Sequence, residues 1–140
     1  MMKRTSLILV ILAVFAVTAF SQTIEDSSRR TIGYISSGGS VEDSSRRTLG
    51  HINSNGTIED SIRRTLGYLT KNGTVEDSSR RTLGYITDSG TVENSSRSTL
   101  GYVSSNGTVE DSSRRTKGYA KDVNQKHAAI FFFFFFGKRN

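Results

Sequence analysis

The chain has 140 residues, 34% of them hydrophobic, with 13 Gly and no Pro, Cys or Trp. That bounds it to about one domain without a large conventional core, and the missing cysteines exclude a disulfide scaffold, thiol catalysis and thiolate metal sites. The formal charge of +6 shrinks on inspection, because Thr23 to Asn124 carries 14 Lys and Arg against 13 Asp and Glu; without a concentrated cationic face, nucleic acid falls to a weak alternative and is not expected as a partner.

Residues 1–21 read as a secretory signal. Lys3 and Arg4 form a positive start, Leu7 to Val17 is an uncharged apolar run, and Ala19-Phe20-Ser21 offers small residues to a signal peptidase. Cleavage after Ser21 leaves Gln22 first. The run is short for a mature membrane span, so no stable span is expected after cleavage. The expected location is exported: periplasm, outer surface or extracellular.

From Thr23 to about Asn124 a unit of 17 residues recurs six times, starting at Thr23, Ser40, Thr57, Thr74, Thr91 and Thr108. Its consensus is [TS]-[VI]-E-D-S-S-R-R-T-L-G-Y-I-x-x-x-G, a repeat signature that governs the reading of every other residue. Residues 22–124 form the repeat domain, and 125–140 an apolar segment with a basic end belonging to the same domain.

Within one unit, two short runs rich in Thr, Val, Ile and Tyr are separated by two turn signals. Asn-Gly pairs such as Asn55-Gly56, Asn72-Gly73 and Asn106-Gly107 supply the positive φ of tight hairpins. The second turn is Asp-Ser-Ser-Arg, where an Asp such as Asp43 accepts from downstream backbone N–H groups. Asn94, the one replacement, keeps that ability. Seventeen residues hold two strands and two turns, which predicts an all-β meander.

A lone hairpin cannot bury Val41, Leu49 and Ile52 or their copies, so neighbouring repeats must provide the other wall. The glycines at 33, 50, 67, 84, 101 and 118 mark bulges or close backbone approaches. The predicted fold is a ring or flower of short antiparallel hairpins, with a linear β-solenoid as the alternative. A solenoid would stack Glu42 on Glu59 and Arg46 on Arg63, an unfavourable opposition of like charges.

After the repeats, Ala128 to Phe136 is an apolar stretch containing six consecutive phenylalanines. It reads as one β-strand whose rings fill the interior of the assembly, because an exposed run of this kind would aggregate, with docking on a partner or a membrane contact as the alternatives. As a strand, its rings should divide by parity into an inward and an outward set.

The D-S-S-R-R-T-[IL]-G-Y-[IL] hairpin, the N-G-T turns, the A-F-S-Q-T start and the closing Phe run resemble the secreted five-fold β-flower proteins of bacteria. The resemblance implies hairpins arranged radially around an axis and brings no catalytic residues. Phased on the Asn-Gly turns, the chain has five complete units, with half-repeats at Thr23 to Ser28 and Arg114 to Ala120 that can pair to close a sixth.

No reaction is readable. His51 stands where the other copies hold Tyr34, Tyr68, Tyr85, Tyr102 and Tyr119, and His127 is isolated before the tail; neither has a partner set for nucleophilic catalysis or zinc. Repeated Glu-Asp and Arg-Arg pairs read as a salt-bridged surface, not as catalytic or metal-binding groups. The expected function is therefore an exported, non-enzymatic, structural or scaffolding protein without cofactor. One alternative is a carbohydrate-binding module using the ring formed by those five tyrosines, and another is a self-assembling surface or fibre component. A glycan or surface partner and a homo-oligomer stay open.

Overall fold

The computed structural model describes residues 21–137, so the proposed signal segment before Ser21 and the last three residues lie outside the described part. Twelve strands follow one another: β1 (Ser21–Asp26), β2 (Thr31–Ser36), β3 (Ser40–Asp43), β4 (Thr48–Ile52), β5 (Thr57–Asp60), β6 (Thr65–Leu69), β7 (Thr74–Asp77), β8 (Thr82–Ile86), β9 (Thr91–Asn94), β10 (Thr99–Val103), β11 (Thr108–Asp111) and β12 (Thr116–Tyr119). Each pairs antiparallel with its neighbours in sequence, and β1 pairs β12, so the sheet is a closed barrel. The ring is realised and the solenoid is not.

The closure settles the number of petals at six. Across the seam Glu25 faces Tyr119 and Asp26 faces Gly118, the register in which Glu110 faces Tyr102 and Asp111 faces Gly101. The two half-repeats thus form a sixth unit that lacks only its Asn-Gly turn.

Both turns use one frame. Arg46 N–H donates to the Asp43 carbonyl (3.0 Å) and Asp43 N–H to the Arg47 carbonyl (2.9 Å); at the other end Gly56 N–H donates to the Asn53 carbonyl and Asn53 N–H to the Thr57 carbonyl, both at 2.9 Å. This frame needs a left-handed residue, which is Gly56 at φ +92° in the second turn but Arg46 at φ +67° in the first. The Asp43 carboxylate holds the strained turn by accepting from Ser45 N–H (2.8 Å) and Arg47 N–H (3.0 Å). Asn94 accepts in the same way from Ser96 and Ser98.

Every Asp-Ser-Ser-Arg hairpin contains a bulge, and its position explains the repeated Leu-Gly pair. In β3–β4, Val41 faces Gly50 and Glu42 faces Thr48, leaving Leu49 without a partner. The extra residue shifts the alternation, so Leu49 packs against the core while Gly50 also faces inward. Inside the barrel lie a ring of Ile24, Val41, Ile58, Val75, Val92 and Val109, all fully buried, and a second ring that includes Ile35, Ile52, Ile86, Val103 and Ala120.

About eight strands make a barrel that its own side chains just fill, so twelve lined in part by glycine leave a lumen. The tail occupies it, and here the structure corrects the sequence reading. Residues 125–136 do not form a strand: α1 (Gln125–Ala129) runs into a π-helical turn over Ile130–Phe134. A closed sheet has already paired its backbone groups, and a lone strand inside it would bury unpaired N–H and C=O groups. A helix satisfies its own. Asn124 caps it by accepting from Lys126 N–H (2.9 Å) and His127 N–H (3.2 Å), Gln125 donates to the Val103 carbonyl (3.0 Å), and Phe135 N–H closes the wide turn on the Ile130 carbonyl (3.1 Å).

The parity expectation falls with the strand. Small Ala128 and Ala129, both fully buried, pass among the aliphatic residues. Below them the rings fan out, one to each petal: Phe131 lies against Gly33, Phe132 against Gly118, Phe133 against Gly101, Phe134 against Gly84, Phe135 against Gly67 and Phe136 against Gly50. A Cβ at Gly84 would sit 2.9 Å from the Phe134 ring as well as against the Glu93 carbonyl. Glycine is required there by the proximity of the ring and of the neighbouring strand.

Candidate functional site

The tyrosines singled out in the sequence are on the outer wall, half-buried, and each is engaged by an arginine. Tyr34 faces Glu42 across the β2–β3 ladder; the Arg46 guanidinium lies 3.5 Å from the Tyr34 ring centre and 3.4 Å from Glu42 Oε1. The left-handed turn directs Arg46 back over the strand, which explains why Arg occupies a position where Gly would be less strained.

The same cluster forms from Arg80 on Tyr68, Arg97 on Tyr85, Arg114 on Tyr102 and, across the seam, Arg29 on Tyr119. The sixth differs. His51 replaces the tyrosine, Arg63 pairs with Glu59 at 3.1 Å, and the Asn53 amide donates to Glu59 and holds its carboxyl below the usual range, against the opposing effect of burial. Tyr34, Tyr68, Tyr85, Tyr102 and Tyr119 are therefore spread around the barrel, one to a petal, and are not gathered into one pocket. His127, partly buried in α1, has its pKa pushed down by burial.

The acids are spent on structure. The backbone N–H of Arg47 is the main reason that the Asp43 carboxyl lies below its ordinary value, partly opposed by desolvation, and Asp26, Asp77 and Asp111 are held low in the same way by Arg30, Arg81 and Arg115. Among the described residues, no three His, Asp or Glu side chains converge as metal ligands would, and no helix is long and apolar enough to cross a membrane.

One concavity escaped the sequence reading. At the Asp-Ser-Ser-Arg end a cavity of about 500 Å³ opens where the first and last rings of the tail meet, lined by Ile32, Leu49, Phe131, Phe132, Phe136 and Lys117 among others. Phe131 and Phe136 stack across it with ring centres 6.5 Å apart. The sequence signal for it is Lys117, which stands where the other petals have Leu or Ile.

The sequence profile of the family described as 5-fold beta-flower protein matches residues 21–136. No curated protein and no solved structure matches the chain.

Proposed function

The chain belongs to the 5-fold beta-flower protein family, and from that premise we propose that it is an exported, non-catalytic structural protein: a rigid ring whose use outside the cytoplasm rests on durability. The observation that carries this reading is the self-filled lumen. Among the described residues, the chain's own six phenylalanines fill the barrel, one to a petal, and leave no central channel for a substrate, while the closed sheet leaves no unpaired edge for a protease or another strand.

The outer wall supports the same reading, because its charged and aromatic groups are engaged with one another. A sugar stacking on Tyr68 or Tyr85 would have to displace a guanidinium 3.5 or 3.4 Å from the ring centre, which weighs against the carbohydrate alternative. A closed sheet likewise weighs against fibre growth by edge pairing.

The test has two arms. Protein recovered from the native host should begin at Gln22, and a retained Met1 would defeat the export part. The folded chain should withstand prolonged thermolysin digestion, whereas a chain ending at Ala129 should be cleaved within its repeats. Equal resistance of the two would remove the durability argument.

A further inference from the structure

The mouth beside the tail joins three features. Its floor is aromatic, formed by Phe131, Phe132 and Phe136, and its wall is aliphatic, from Ile32 and Leu49. Its volume of about 500 Å³ falls within the roughly 300–1,000 Å³ of small-molecule sites. Among the described residues that line this apolar cavity, the one cation is Lys117, whose ammonium lies 5.6 Å from the Phe133 ring centre.

Charge balance marks Lys117 out. Asp26 and Asp43 also border the cavity, but each is committed to its own turn and to an arginine, Asp26 to Arg30 and Asp43 to Arg47, both at 3.0 Å. Among the described residues no carboxylate pairs with Lys117. At this repeat position Ile32, Leu49, Leu66, Leu83 and Leu100 are aliphatic, and all five pack against the core. The sixth copy gives up that apolar contact and places an unpaired ammonium where the mouth is open.

We propose that this mouth binds a small amphipathic carboxylate, its alkyl or aromatic part on the phenylalanine floor and its carboxylate on Lys117. The apolar surface supplies the attraction, and the Lys117 ammonium sets the sign of the head group. The site is independent of the structural role of the ring.

Calorimetric titration of the folded full chain with octanoate, octanol and octyltrimethylammonium tests this. Octanoate should bind saturably, one per chain, and most tightly of the three. Lys117→Leu, which restores the residue of the other petals, should weaken octanoate about tenfold while leaving octanol unchanged, and Lys117→Arg should retain binding. Lys117→Gln, with a thermal melt, provides a second neutral variant should the leucine disturb folding. The proposal is overturned if octanoate does not saturate, if the neutral variants bind it as tightly as the parent, or if the ammonium competes equally. It is also overturned if the chain sediments with phosphatidylglycerol vesicles but binds no free octanoate, which would make the mouth a membrane contact.

Discussion

Replacing the tail phenylalanines one at a time by alanine separates a fan of rings from a strand. In the structure, consecutive residues Phe132, Phe133, Phe134 and Phe135 lie against Gly118, Gly101, Gly84 and Gly67, so neighbours in sequence are equivalent in environment. Phe131 is only 3% exposed, and its loss should cost about 3 to 5 kcal/mol, the usual range for a buried Phe→Ala change. The other five rings are half-buried, and each should cost about 2 to 3 kcal/mol. For a domain of this size that lowers the melting temperature by roughly 4 °C per kcal/mol, hence by about 8 to 12 °C for each of the five. Thermal melts followed by circular dichroism read this directly. An alternating series, with Phe133→Ala and Phe135→Ala melting like the parent while Phe132→Ala and Phe134→Ala fall, would refute the helical fan.

Two further outcomes are expected. A double-mutant cycle on Tyr34 and Arg46, read by urea melts, should show coupling of about 0.5 to 1 kcal/mol, and the same cycle on His51 and Arg63 should show less; equal values would mean that the stacking contributes nothing. The Asp carboxyls of the turns are held below their unfolded values, so the stability they contribute is present above the unfolded pKa near about 4 and is lost as the pH falls through the folded values. The melting temperature should be flat above about pH 5 and decline below about pH 4, and Asp43→Asn, which copies Asn94, should shallow that decline; a melt indifferent to acid down to pH 2 would contradict the role given to these turns.

Much of this fold was readable because the repeat states its rules six times. The Asp and Asn turns, the inward valines and the ring architecture follow from local spacing, and the tolerated Asn94 revealed the job of the Asp. What was missed depends on closure. Whether the Phe run is strand or helix is not a matter of propensity: it depends on whether a strand in the lumen would find a partner, and the pairing of β1 with β12 removes one. The arginine stacking was hidden because a non-glycine residue at positive φ leaves no sequence signal when Arg fills the position. The mouth cavity was hidden because Lys117 reads as drift until the tail is seen to end beside it.

Six phenylalanines on six glycines also constrain how a gene for such a chain can change. Adding one 17-residue segment would create a petal whose glycine meets no ring, and removing one would leave a ring without a berth. Repeat number and the length of the phenylalanine tract, encoded in separate parts of the gene, are therefore inherited as a matched pair, and a change in either one alone carries a penalty that only the corresponding change in the other relieves.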